Sequence, residues 1–370
     1  MRVAINCRSI LKPRLTGIGR NTFHLLDWLG RIDQENQYLL YSPKRLLDFK
    51  RRAPRFPYSN FSVRLDYWGK GAGHSVGPHD VYHLPSPDTL PAHAAPMVVT
   101  IHDLIYKTWP QSHTSQTLET TERHMKGIIA RAAMIICPSG HTRQDLHRFF
   151  EFPRERSCVV YNGVDSKVFF PLSEGRRSQV KTQLVANGVD RPFILFVSTL
   201  EPRKNLGNVL EALSRLKSKK RFTGQLAVAG SQGWMMEETH SRVAKLGLKA
   251  DVRFLGYVSD EQLCYYYNLA DVFVYPSFYE GFGFPIVEAF CCGAAVLTSN
   301  VSSCPEIARD AALTVDPNSV EAIAAGLDAL LHDVGLKEAL QRKALLRAQD
   351  FAFEKTARET LAVYKKLARA

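Results

Sequence analysis

The stretch Val272-Phe273-Val274-Tyr275-Pro276-Ser277-Phe278-Tyr279-Glu280-Gly281-Phe282-Gly283-Phe284-Pro285-Ile286-Val287-Glu288 governs the reading of the whole chain. Its first four residues, β-branched and aromatic, read as a buried strand that exits at Pro276-Ser277. Pro285 suits the first turn of a helix, where a missing N–H is no loss, and that helix continues through Glu288 and Ala289. Glu280 then lies on the loop and Glu288 about one turn into the helix, both near its positive end. Gly281 and Gly283 leave backbone amides able to point at a ligand. Carboxylates accept from hydroxyls and amides donate to phosphate oxygens, so the stretch suits a hydroxyl-rich, phosphate-bearing ligand.

The same alternation of short apolar runs and amphipathic helical stretches extends over all 370 residues. Strands are predicted at Val3-Ile5, Tyr38-Tyr41, Ser62-Leu65, Val81-Leu84, Met97-Ile101, Met134-Cys137 and Val159-Tyr161. A second set is predicted at Phe193-Val197, Gln225-Ala229, Val252-Phe254, Val272-Tyr275, Ala295-Thr298 and Leu313-Val315. Apolar strands separated by helices imply parallel sheets covered on both faces. The polar, strand-poor stretch from Asp165 to Arg191 reads as the connection between two α/β units. In open parallel sheets ligands sit at the carboxyl ends of the strands, so two facing units would hold a ligand in a cleft.

Composition narrows the function classes. Hydrophobic content of 45% and charged content of 23% are those of a folded globular chain. No apolar run approaches the roughly 18 residues that cross a bilayer, and the first apolar stretch ends at Asn6, which places the chain in the cytoplasm. The seven cysteines are scattered without a Cys-x-x-Cys pair and read as buried reduced thiols. A net charge of +12 favours a polyanionic partner: nucleic acid, anionic lipid or a phosphate-bearing small molecule.

The nucleotide motifs inform partly by absence. Thr16-Gly17-Ile18-Gly19-Arg20-Asn21-Thr22 has Thr22 where a dinucleotide fingerprint needs its third glycine, and no P-loop run occurs. Two glycines ahead of a helix still let amides approach an anion, although a plain glycine turn would read the same. No Asp-x-Asp pair exists to hold a divalent metal on a diphosphate. Arg203 and Lys204, in Ser198-Thr199-Leu200-Glu201-Pro202-Arg203-Lys204-Asn205, stand between a strand end and a helix start and can hold an anion instead.

The run from Glu280 through Pro285 to Glu288 resembles the signature of glycosyltransferase family 4. Thr16 to Arg20, Ile101-His102-Asp103, Asn162-Gly163-Val164-Asp165, Glu201 to Asn205 and Phe254-Leu255-Gly256-Tyr257-Val258 match the family in order over nearly the whole chain. The resemblance implies an α/β GT-B fold: two Rossmann-like domains facing across a cleft. Residues 1–170 would form the acceptor-side domain, joined by a C-terminal crossover helix at 351–370, and residues 171–350 the nucleotide-sugar-binding domain. Carried over by position, Glu280 would hold donor-sugar hydroxyls and Glu288 the ribose. Arg203 and Lys204 would neutralise the diphosphate, and Gly17 would close on it from the first domain. Amides near Gly281, Phe282, Gly283 and Phe284 would add to that cradle, with Thr199 at the donor too. Tyr257 and Val258 would meet the base, and His102 would lie by the reacting sugar. Many members carry Gly-Arg where Ser198-Thr199 stands; Arg203 is taken to supply the missing charge.

The implied reaction is retaining transfer of a hexose from a nucleotide diphosphate, with the leaving phosphate oxygen taking the acceptor proton. No metal or other cofactor is expected, and catalysis would rest on electrostatics and positioning. Ile101 to Tyr106 with Thr199 to Asn205 resembles mannosyltransferases of bacterial surface-polysaccharide assembly. GDP-mannose is therefore the first-choice donor, with UDP-glucose and deoxysugar nucleotides open. The expected acceptor is a glycan or a lipid-linked sugar. Between Lys44 and Lys70 eight Lys or Arg face two Asp among aromatics, a pattern that fits either a solvated loop or peripheral contact with an anionic membrane. No motif for nucleic acid is present. A non-catalytic nucleotide-sugar-binding protein is the rival reading.

Overall fold

The β-branched runs become two all-parallel sheets. The structure, a computed structural model, describes residues 1–11, 15–43, 55–68, 72–87, 95–112, 115–231 and 236–369. By internal contacts the chain divides into Met1–Gly163 with Phe351–Ala370, and Val164–Asp350. The first break thus falls ahead of 170.

In the first unit β1 (Arg2–Asn6), β2 (Gln37–Pro43), β3 (Phe61–Asp66), β4 (Val81–Leu84), β5 (Met97–Thr100), β6 (Ala132–Cys137) and β7 (Ser157–Val159) order as β3-β2-β1-β4-β5-β6-β7. β7 starts earlier than the run Val159-Tyr161 indicated, because Ser157 is buried in register with Ile135 and its hydroxyl meets Arg143 and His147. The helix Phe353–Ala368 belongs to this unit. Its buried stripe of Phe353, Ala357, Leu361 and Tyr364 packs on the helix Gly17–Ile32 and the sheet. The Tyr364 hydroxyl lies 2.6 Å from His83 Nδ1 in the core. Gly163 packs against it too: a Cβ there would lie 2.4 Å from the Phe353 ring.

In the second unit β8 (Phe193–Val197), β9 (Gln225–Ala229), β10 (Val252–Gly256), β11 (Val272–Tyr275), β12 (Val296–Ser299) and β13 (Leu313–Val315) order as β10-β9-β8-β11-β12-β13. Both sheets are doubly wound, and the strand order reverses between β8 and β11 in this one, the switch point where such sheets take their ligands. The stretch Asp165 to Arg191 is not a bare connection. It contains the helix Glu174–Ala186, which buries only Val180 and Leu184, one turn apart. Arg176 bonds Tyr265 and the Leu172 amide bonds Asn268 on the helix Asp260–Leu269. So narrow an apolar stripe leaves the segment polar in sequence. Among the described residues no helix is long and apolar enough to cross a membrane.

Candidate functional site

The carboxyl ends of β8 and β11 deliver the charged residues. After β8 the chain turns through Pro202–Lys204 and starts the helix Leu206–Ser218 from Asn205, held at φ 67°. Asn205 anchors the turn by donating to the carbonyls of Pro276 and Pro317. After β11 the loop runs to Gly283, whose φ of 102° suits only glycine, and the helix Phe284–Cys291 begins with Pro285 in its first turn. The Phe278 amide donates to the Arg203 carbonyl at 2.8 Å, tying the two loops together.

Glu280 is the hub. Four donors converge on its Oε1: Lys204 Nζ at 2.5 Å, Tyr275 Oη and Ser277 Oγ at 2.7 Å each, and Arg203 Nη1 at 3.1 Å. No described residue donates to Oε2. Arg203 also bonds Glu201 Oε2 at 2.9 Å and the Tyr279 carbonyl at 3.1 Å. Lys204 Nζ adds a bond to Tyr275 Oη at 2.7 Å, which leaves a third N–H that no described residue takes up. Both Lys204 and Glu280 are 8% exposed. Burial alone would raise the Glu280 carboxyl, but the Lys204 and Arg203 charges and the bonds from Lys204 and Ser277 overcome it and hold the group down at about 2. Burial lowers the Lys204 ammonium from its ordinary value, and the Glu280 charge works against that loss.

Glu288 sits one turn into its helix, buried, with its Oε2 accepting from Tyr267 Oη at 3.0 Å. Burial, then the Glu288 charge, pushes that phenol well above its usual value, so it stays a donor. At the end of β10, Gly256 adopts φ 67° and turns the chain so that Tyr257 is 59% exposed and Val258 half-buried. Thr199 is exposed, its hydroxyl 3.4 Å from that of Ser231. Gly281 and Phe282 are buried in the loop and each has partners within the protein; the Phe282 and Phe284 rings meet edge to face. In the first unit Gly17 opens the helix Gly17–Ile32, capped by the Thr16 hydroxyl on the Gly19 amide. A Cβ at Gly19 would lie 2.8 Å from the Ser9 carbonyl, whereas one at Gly17 would meet nothing within 4 Å among the described residues. His102 follows β5, half-buried, with Nε2 2.9 Å from the Pro85 carbonyl.

Comparison with known proteins places this arrangement. The profile of glycosyl transferases group 1 matches residues 181–347, and that of Glycosyltransferase Family 4 matches residues 17–168. The O-antigen chain mannosyltransferase B of Escherichia coli is 32% identical over 382 residues, spanning 96% of this chain and 98% of that protein. The chain belongs to glycosyltransferase family 4. Its fold is GT-B: sucrose-phosphate synthase from Thermosynechococcus elongatus superposes with a TM-score of 0.79 at 20% identity, covering 99% of each chain. Anabaena HepE, solved with UDP and glucose, gives a TM-score of 0.73 at 17% identity over 99% of this chain and all of that one.

In this glycosyltransferase the structure brings Arg203, Lys204 and Glu280 into one bonded cluster. Glu288 stands on the helix that the Glu280 loop leads into, and Gly17 and His102 stand in the other unit. Arg203 and Lys204, expected to neutralise a diphosphate, are already paired within the protein by Glu201 and Glu280. Sequence reasoning also missed Tyr275, Ser277, Tyr267 and Ser302. Tyr275 ends an apolar strand run and reads as core; its phenol, which needs a partner when buried, was the available cue. The Ser302 hydroxyl accepts from the Glu280 amide at 2.7 Å and donates to the Glu280 carbonyl at 2.6 Å. Ser302 is held at φ 62°, a conformation that costs a residue with a side chain roughly 1–2 kcal/mol.

Proposed function

We propose that the enzyme transfers mannose from GDP-mannose, with retention, onto a glycan or lipid-linked acceptor in polysaccharide assembly, without a metal. The observation that carries this reading is the Glu280–Lys204–Arg203 cluster at the β8/β11 switch point of a chain 32% identical, end to end, to an O-antigen chain mannosyltransferase. With Oε1 saturated, Glu280 offers Oε2 to the sugar hydroxyls. Lys204 offers its remaining N–H to the diphosphate, and Arg203 adds charge beside it. Glu288, fixed by Tyr267, accepts from the ribose hydroxyls. Tyr257 and Val258 supply the edge on which the base rests, with Thr199 nearby on the β8 exit. At the start of the helix Phe284–Cys291, Pro285 has no N–H and the Ile286 amide donates to the Gly283 carbonyl at 3.0 Å, so it is the Phe284 amide and the positive end of the helix that add to the anion field.

In this reading the acceptor hydroxyl attacks from the face the nucleotide leaves. Its proton passes to the departing phosphate oxygen as the bond from the anomeric carbon to that oxygen breaks. Lys204 and Arg203 stabilise the charge that develops on the phosphate, Glu280 and His102 orient the sugar, and Gly17 lets the backbone of the first unit approach the diphosphate. The space beside Gly17 among the described residues supports that last role, since packing against them does not demand glycine there. We place the reaction in the cytoplasm, at an anionic membrane face touched by the segment from Lys44 to Lys70. Residues 44–54, 69 and 70 lie outside the described residues; within 55–68, Trp68 is 75% exposed beside exposed Tyr67 and Arg64.

The test is a thermal-shift screen with GDP, UDP, dTDP and ADP and their common sugars. GDP-mannose should raise the midpoint most, with EDTA leaving the shift unchanged. A larger shift with UDP-glucose or a deoxysugar nucleotide would replace the donor, and a shift that requires Mg²⁺ would overturn the metal-free reading.

A further inference from the structure

The end of β11 and the loop after it, which carries Glu280, are gripped by hydroxyls from one neighbouring segment, the end of β12 and its exit. Thr298 donates to the Tyr275 carbonyl at 2.8 Å, Ser302 bonds both backbone polar groups of Glu280, and Ser303 donates to the Phe282 carbonyl at 2.9 Å. Thr298 and Ser303 are fully buried. The middle contact differs in kind: one hydroxyl spans the N–H and the C=O of the same residue and so fixes the rotation of the Glu280 peptide planes. Reaching that position holds Ser302 at φ 62°, in the left-handed region where Ser is uncommon. Strained backbone at a non-glycine residue persists where the surrounding structure over-determines it, and such positions cluster at functional sites.

We propose that Ser302 is a positioning residue: its hydroxyl sets the backbone of Glu280 so that the carboxylate presents Oε2 to the donor sugar. This inference rests on the reading of Glu280 as the group that recognises that sugar. Four donors on Oε1 locate the carboxylate only while the Cα they pivot about stays in place, and the Ser302 hydroxyl holds it there. Loss of the grip lets Glu280 rotate with its donors still attached, so the expected defect is in geometry rather than in charge. A displacement of about 1 Å at a positioned group lowers turnover by on the order of 100-fold.

Glycine and alanine at this site separate positioning from mere folding. Ser302→Gly removes the hydroxyl and relieves the backbone; Ser302→Ala removes the hydroxyl and keeps the strain. Affinities for GDP, GDP-mannose, UDP and UDP-glucose are measured by calorimetric titration, and the sugar increment is the ratio between a nucleotide sugar and its nucleotide. Both variants should lose at least about 10-fold of the wild-type sugar increment while nucleotide affinity is unchanged, although Ser302→Gly melts at or above Ser302→Ala. In a Glu280→Gln background Ser302→Gly should cause no further loss. A Ser302→Gly variant with the wild-type increment, or an undiminished further loss in the Glu280→Gln background, overturns the positioning role. A Glu280→Gln variant that keeps the full increment, or a wild-type chain that binds none of the four probes, overturns the assignment of Glu280 itself and this inference with it.

Discussion

Replacing one member of the Lys204–Glu280 pair should cost more than replacing both. The Glu280 carboxyl is held at about 2 against an ordinary 4.5, so its ionised form contributes about 3 kcal/mol to the folded state near neutral pH. Lys204→Met takes away the strongest of the charges that support it and leaves a buried carboxylate with Arg203 alone. Glu280→Gln leaves a buried ammonium with the Tyr275 phenol. Each single change should destabilise the second unit by roughly 3–5 kcal/mol, because one uncompensated charge stays buried. The double variant buries neither charge and should be less destabilised than the sum by at least about 2 kcal/mol. Equilibrium urea unfolding, fitted with separate transitions for the two units, measures the cycle. The pH dependence adds a sign. A depressed carboxyl gives stability that is present above pH 4.5 and lost as pH falls toward 2. The gap between wild type and Glu280→Gln should therefore narrow over that window. A gap that stays constant from pH 5 to pH 2.5, or strictly additive single changes, would refute the pairing as the source of stability.

The two glycines at the start of the first-unit helix should behave oppositely. Gly19→Ala, whose Cβ would press on the Ser9 carbonyl, should destabilise by about 1–3 kcal/mol. Gly17→Ala should change the melting midpoint little and weaken donor binding; unchanged donor affinity in that variant would remove Gly17 from the donor site. At the segment that bears Trp68, flotation should be stronger with vesicles rich in anionic lipid than with neutral ones, and equal flotation would count against a membrane role.

Much of this architecture was written in local patterns. The runs Phe193-Val197, Gln225-Ala229, Val272-Tyr275 and Leu313-Val315 are the strands of the second sheet residue for residue, because strands buried on both faces read as continuous apolar stretches. Glu280, Pro285 and Glu288 could be placed on loop, first turn and second turn, because proline and glycine constrain the backbone strongly enough to locate their neighbours. The helix Glu174–Ala186 escaped for the opposite reason, since two buried residues give too weak a periodic signal. Ser302 gave no signal at all. Its role depends on a partner 22 positions away and on a backbone angle, and neither leaves a trace in residue type. Gly163, a motif glycine that matches the family, has a packing reason that its motif does not state: the Phe353 ring lies against it.

The pairing of the cations alters what the site can be said to do before a donor arrives. Glu201 and Glu280 balance Arg203 and Lys204, so these four side chains together carry no net charge. On the proposed reading the pairing serves the chemistry. An ammonium as buried as that of Lys204 tends to shed its proton, and the Glu280 charge beside it opposes that loss. A neutral amine would offer the leaving phosphate a weak hydrogen bond in place of a fixed positive charge. On the proposed reading Glu280 acts on both ends of the bond that breaks: Oε1 keeps Lys204 charged for the phosphate, and Oε2 serves the sugar. Because Tyr275 and Ser277 lock the same Oε1, the dipole is already oriented and needs no rearrangement when charge develops, the condition under which electrostatic stabilisation is most effective. On that reading, one carboxylate doing both jobs accounts for burying two opposite charges where a well-packed apolar pair of similar volume often costs no stability.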